Sequence, residues 1–385
     1  MSSVHTCIPH LTRVKAEPKG PRKYTPAVRI DQVLPSLASR DAIGVHTLAL
    51  TDALRSAGFD SDIYYGNCTP DVSGRGRPVT ELGRAGKDRW LLYHASIGSG
   101  VFDIVAARPE PKLVNYHNIT PAELLDGWAF QVTYEVALGR AQLERLAPES
   151  RFAVADSAFN ESELIEAGYK GTAVVPLLVD MTSTGAAPDG AIARRLAEAK
   201  SRGGADLLYV GKISPHKAPH DLVKMLAVYR RLYDPLARLH LVGSPLGERY
   251  GPALESFIAR LELTDAVELV GSLEPAGLEA YFEAADAYVS ASDHEGFCVP
   301  VVEAMGHGIP VVAFGAAAVP ETVGDGGIVL TSKEPLRFAA ALARVLSDEE
   351  LRRALAEAAA RRVTHFDLGR SKARFVELLR TATAA

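Results

Sequence analysis

Short apolar runs alternate with amphipathic ones along this chain, and they do so in two long series. VRIDQVLPSL (28–37) leads through the loop ASRDAIGVH into the helical pattern HTLALTDALRSAG, closed by Gly58. DSDIYYG, RWLLYHAS, PKLVNYHN and RFAVADS follow as strands, with EVALGRAQLERLA as a helix among them. The second series opens at ADLLYVGKIS and runs through HDLVKMLAVYRRLY, LHLVGSP, ALESFIARLEL, AVELVGSL, LEAYFEAAD, AYVSAS, VVEAMGHG and PVVAFG. Apolar strands separated by amphipathic helices imply crossover connections, parallel pairing and helices on both faces of each sheet. The expected class is therefore α/β, with two doubly wound sheets. A length of 385 residues accommodates two domains, at roughly 150 residues each.

The boundary is expected near VVPLLVDMTSTGAAPDG, where Gly, Pro, Thr and Ser cluster after a strand. This gives an N-terminal arm over 1–27, rich in Pro, Lys and Arg; a first domain over 28–190; a second over 200–365; and a C-terminal helix over 366–385 that crosses back to the first. Ligands of such sheets bind beyond the carboxyl ends of the strands. With two domains, the two sets of loops face each other across a cleft, and residues just after strands are the ones to watch.

Composition excludes several classes. A net charge of −5 offers nothing to a nucleic acid or an anionic membrane. Three dispersed cysteines, Cys7, Cys68 and Cys298, form no CxxC pair, which argues against a disulfide framework or a cysteine zinc site and fits a reducing cytoplasm. The N-terminus lacks the apolar core of a signal peptide, and no apolar run approaches the roughly 20 residues of a membrane span.

The most informative loop is DHEGFCVPVVEAMGHGIPVVA (293–313), which follows the strand AYVSAS. Pro300 suits a helix start, and the amides of the loop and helix N-terminus suit an anion such as a diphosphate. Glu295 and Glu303 would repel that anion. Each carboxylate instead suits a vicinal diol, which donates two hydrogen bonds to it. A molecule with diols on both sides of a diphosphate is a nucleotide sugar. Each acid also has an ordinary reading, Glu303 as a favourable acid near a helix N-terminus and Glu295 as a solvated loop acid.

Glu295-Gly296-Phe297 through Glu303, then Ala304-Met305 and Gly308-Ile309-Pro310-Val311-Val312, resembles the E-x7-E signature of glycosyltransferase family 4. Val319-Pro320-Glu321-Thr322-Val323 and Gly326-Gly327 are similar to the family's next loop. The resemblance implies the GT-B fold, two Rossmann-like domains facing across a cleft, and retaining transfer from a nucleotide sugar, with UDP favoured over GDP. It places the ribose on Glu303 and the sugar on Glu295, Gly296 and Phe297, with Cys298 and Val299 in the same donor loop. Catalytic roles fall by the same resemblance to His117, Lys217 and Glu295.

In YVGKISPHKAP, Gly211 ends a strand and Lys212 and Lys217 follow, two cations able to neutralise a diphosphate leaving group. The family usually has Arg where Lys212 stands. Lys keeps the charge without the bidentate fork. Gly44, after the first strand, allows close approach of backbone to the donor, and Asp41, His94 and His117 are candidate acceptor contacts at strand ends. No metal and no cofactor is expected: His216 and His220 lack a third ligand, and Asp60-Ser61-Asp62, a DxD, lies before a strand at the wrong end of the sheet.

The expected partners are a nucleotide-sugar donor and a small polar acceptor, with homodimerisation left open. For the acceptor the resemblance leans to the glycosyltransferases of aminoglycoside antibiotic biosynthesis, with an aminocyclitol or pseudodisaccharide. The alternatives are inositol phosphate, a cell-envelope lipid or polysaccharide precursor, and a non-transferring nucleotide-sugar enzyme or binding protein.

Overall fold

The structure is a computed structural model that describes residues 28–181 and 186–384. The arm expected over 1–27 lies outside them, as does Cys7.

The first domain runs β1 (Arg29–Leu37), α1 (Ala42–Ser56), β2 (Ile63–Cys68), β3 (Arg77–Pro78), β4 (Arg89–Ala95), α2 (Gly100–Ala106), β5 (Lys112–Tyr116), α3 (Phe130–Leu146), β6 (Ser150–Ala155), α4 (Ala158–Glu166) and β7 (Thr172–Val174). The second runs α5 (Gly190–Ser201), β8 (Asp206–Val210), α6 (Pro219–Leu232), β9 (Arg238–Val242), α7 (Tyr250–Arg260), β10 (Val267–Gly271), α8 (Pro275–Ala284), β11 (Ala287–Ser290), α9 (Val299–Gly306), β12 (Val311–Phe314), α10 (Val319–Val323), β13 (Gly327–Leu330), α11 (Pro335–Ser347) and α12 (Glu349–Val363). A last helix, α13 (Leu368–Ala384), follows.

Two parallel sheets result, one of seven strands in the order β3-β2-β1-β4-β5-β6-β7 and one of six in the order β10-β9-β8-β11-β12-β13. Both are buried on two faces, so successive residues of one strand enter different cores. Leu207 and Tyr209 of β8 pack with α6 and α11 residues, whereas Leu208 between them packs with Val301 and Met305 of α9. This is why the central strands read as unbroken apolar runs.

α1 begins four residues before the helical pattern suggests. Asp41 caps it, its side chain accepting from the Ile43 amide, so the segment read as a loop is already helix from Ala42. α13 leaves the second domain and buries Phe375 and Leu379 against Ile30, Leu50, Leu54 and Leu113 of the first. Each such side chain contributes roughly 1.5–3 kcal/mol, which ties the chain's end to the opposite sheet.

The domains also touch directly. Arg40 pairs with Glu274 at 2.6 Å, the rings of Trp128 and Tyr250 meet edge to face at 5.3 Å, and Arg249 donates to the Gly127 carbonyl.

Candidate functional site

The carboxyl ends of the two sheets enclose a cleft of about 590 Å³, within the range of small-molecule sites. From the first domain it is lined by the β1–α1 loop with Asp41, by His117, Asn118 and Thr120 after β5, and by Asp156 after β6. From the second come Gly211, Lys212 and Lys217 after β8, the loop 294–300 after β11, and Glu303 of α9. Thus Asp41, His117, Gly211, Lys212, Lys217, Glu295, Gly296, Phe297, Cys298, Val299 and Glu303 meet on one cavity.

The loop after β11 is held from several sides. Thr322 donates to the Phe297 carbonyl at 2.5 Å, and the Ala318 amide to the Glu295 carbonyl at 3.1 Å. Phe297 and Cys298 are buried in the second core, and Cys298 enters α9 through a left-handed turn. Burial pushes the Cys298 thiol well above its ordinary range, which makes it a packing group rather than a nucleophile. Gly296 presses on the first domain: a Cβ there would come within 2.4 Å of the Asn118 Cβ.

Lys217 donates to Glu295 at 2.5 Å, with both side chains largely buried. The cation expected on the diphosphate and the acid expected on the sugar are therefore bonded to each other. Lys212 is exposed, and among the described residues no ion pair holds its ammonium. Glu303 is a largely desolvated acid, its pKa pushed up to about 7 by burial and by Glu279, against the opposing effect of His307.

Three expectations are corrected. Gly44 does not line the cleft; a Cβ there would lie 1.8 Å from the Ala38 carbonyl oxygen, so the glycine serves packing of α1 against its own preceding loop. His94 is fully buried and cannot reach an acceptor; both ring nitrogens are bonded, to His117 and Gln32. The His117 side chain is 1 % exposed, with Nδ1 on Asp156 at 2.8 Å and Nε2 on His94 at 2.9 Å, and its amide donates to the Ala95 carbonyl at 2.9 Å, so neither ring nitrogen nor amide is free to meet a sugar.

His46, His94 and His117 converge closely enough to suggest a metal. Proton placement argues otherwise. The His46 Nδ1 accepts from the Leu178 amide at 2.9 Å, so a neutral His46 carries its proton on Nε2, which then has no lone pair to give. His216 lies against Ser214 and His220 against Tyr250, at 3.3 and 2.8 Å. The DxD acid Asp62 sits among Arg29, Arg55 and Arg77 at 2.5–3.1 Å, before β2 and away from the cleft.

Residues that sequence reasoning passed over include Asp156, Gln32 and Glu163. Asp156 stands just after an apolar strand, and Gln32 is a polar residue inside one, which are the signals that could have found them. Glu163 accepts from Tyr116, Asn118 and Arg140, and no local pattern distinguishes it from a surface helix acid.

Residues 194–362 match the family model of Glycosyl transferases group 1. The D-inositol 3-phosphate glycosyltransferase of Geodermatophilus obscurus is 33 % identical over 219 residues, covering 54 % of this chain and 48 % of that protein. That of Kineococcus radiotolerans is 31 % identical over 248 residues, covering 60 % and 57 %. The chain spans about half the length of these relatives. Among solved structures, Anabaena HepE in complex with UDP and glucose superposes with a TM-score of 0.72 at 18 % identity, covering 91 % of this chain and 99 % of that one. WaaG, a glycosyltransferase involved in lipopolysaccharide biosynthesis, gives 0.65 at 13 %, covering 91 % and 99 %. The fold is thus GT-B, and residues 194–362 are the part that matches the group 1 glycosyltransferase model.

Proposed function

We propose that the protein is a retaining glycosyltransferase that moves a sugar from a nucleoside diphosphate sugar to a hydroxyl of a small acceptor. The observation that carries this reading is the meeting of Glu295, Glu303, Lys212 and Lys217 on one cleft, two acids suited to diols and two cations suited to a diphosphate. UDP is the favoured nucleotide, as in the like-folded HepE complex.

Glu303 takes the ribose diol. Glu295, with the amides of Gly296 and Phe297, takes the sugar hydroxyls. As the anomeric C–O bond breaks, the electron pair leaves with the diphosphate, where Lys212, Lys217 and the N-terminal amides of α9 stabilise it. The acceptor oxygen bonds the anomeric carbon on the same face and gives its proton to a departing phosphate oxygen. No side-chain nucleophile and no metal is needed.

For the acceptor, the relatives favour an inositol phosphate over an aminocyclitol. A thermal-shift panel of UDP, GDP and ADP with their sugar conjugates, followed by product analysis with D-inositol 3-phosphate and with aminocyclitols, tests both levels. A ligand at about 100 times its Kd stabilises by about 2.7 kcal/mol. A shift with one nucleotide and a new glycoside would support the reading, and no shift with any nucleotide would overturn it.

A further inference from the structure

Four neighbouring strands of the first sheet, β1, β4, β5 and β6, each deliver one polar side chain beneath the cleft wall. Gln32 lies within β1, His94 within β4, and His117 and Asp156 just past β5 and β6. They form an unbroken row: Gln32 Oε1 to His94 Nε2 at 2.9 Å, His94 Nδ1 to His117 Nε2 at 2.9 Å, and His117 Nδ1 to Asp156 Oδ2 at 2.8 Å.

The row has a direction. Gln32 Nε2 donates to the Thr47 carbonyl at 3.2 Å and to Thr51 Oγ1 at 2.7 Å, and Thr51 itself donates to that same carbonyl at 2.9 Å. Turning the amide over would set oxygen against oxygen, so Oε1 faces His94 and accepts from it. His94 therefore carries its proton on Nε2 and presents a bare Nδ1 to His117. His117 must then donate from Nε2, while its Nδ1 shares a proton with the Asp156 carboxylate. A carboxyl is more acidic than an imidazolium, so that proton rests on the ring. The count leaves the two imidazoles with one proton more than two neutral rings, balanced by Asp156.

We propose that Gln32 and His94 are positioning residues that hold His117 as an imidazolium beneath the cleft. The other groups facing it are His46 from α1, whose ring centroid is 5.0 Å away, and Asp41 at the α1 cap. Burial holds His46 and His94 well below the ordinary histidine range, which keeps both neutral and leaves the charge on His117. The cation faces Asp41, whose carboxyl stands above its ordinary range because burial outweighs the opposing Ile43 amide and His117. Within the transfer reading, the row fixes the main chain at His117, which lines the cleft.

The test is nitrogen NMR of the full chain with labelled histidine, assigned with His117→Asn and His94→Asn. At about pH 8, where ordinary histidines are neutral, one ring is expected with both nitrogens protonated and a second with Nε2–H alone. Gln32→Met removes the acceptor, lets His94 move its proton to Nδ1, and abolishes the doubly protonated ring. Only neutral rings in the unaltered protein, or a doubly protonated ring that survives Gln32→Met, would overturn the proposal. In the same variant kcat is expected to fall by up to about 100-fold, as for a misplacement of about 1 Å, with UDP affinity unchanged. An unchanged kcat would overturn the positioning role. A failure of the transfer reading is distinguishable, because it appears as absent nucleotide binding in the unaltered protein.

Discussion

Glu321 of the second domain caps Phe159 of the first: its carboxylate accepts from the amides of Ala158 and Phe159 at 3.0 Å each. These are the opening amides of α4, which lack intrahelical partners. An acid at a helix N-terminus is favourable, and here it comes from across the cleft, so the cap holds the domains together. Glu321→Ala is expected to cost about 1 kcal/mol and to open the cleft. Small-angle scattering should show a larger radius of gyration in the nucleotide-free variant. An unchanged radius would mean that the other interdomain contacts suffice.

Gly296→Ala tests close approach of the loop after β11 to the first domain. The new Cβ would lie 2.4 Å from the Asn118 Cβ and 3.1 Å from the Asn160 Nδ2, all in the opposite domain. Because the obstruction lies between domains, kcat should fall steeply while Tm moves little. A large drop in Tm with kinetics preserved would place the strain inside the second domain.

Lys217 and Glu295 are expected to be separable by a double-mutant cycle. Lys217→Met leaves a largely buried carboxylate unpaired, at a cost on the order of 2 kcal/mol. The pair Lys217→Met with Glu295→Gln should recover most of that stability. Turnover should stay down by roughly 10²–10³ in both. Recovery of activity along with stability would reduce the pair to a structural ion pair.

Glu303 predicts a pH dependence. Burial raises its pKa in the fold to about 7 from an ordinary 4.5. The folded state holds this proton longer than the unfolded one, so its contribution to stability is lost as pH rises from about 4.5 through about 7. Ribose hydroxyls donate to the ionised form, so nucleotide affinity should rise over the upper part of that window and level off above it. At one pH unit below the pKa, affinity should be about tenfold weaker than the plateau. Calorimetric titration with UDP at several pH values checks this, and Glu303→Gln should flatten the profile and weaken binding throughout.

The sequence by itself determined the two sheets, the placement of cleft residues after strands, and the loop from Glu295 to Glu303 that lines the cleft. Those follow from local pattern: apolar runs of strand length, amphipathic helices between them, and a loop whose residue types suit diols and a diphosphate. The tertiary structure decided what each polar group faces. His94 and His117 look alike in sequence, both at strand ends, yet one is sealed in the core and the other lines the cleft with its ring buried and bonded to Asp156. Gly44 reads as a ligand-facing glycine and is instead required by the Ala38 carbonyl. Lys217 and Glu295, 78 positions apart, read as separate ligand contacts and are bonded to each other. Glu321 and α4 are joined across 162 positions. Periodicity is a property of neighbours along the chain and survives in the sequence. Hydrogen-bond partnership depends on which strands lie side by side, and the order β1-β4-β5-β6 that aligns Gln32, His94, His117 and Asp156 exists only once the sheet is formed.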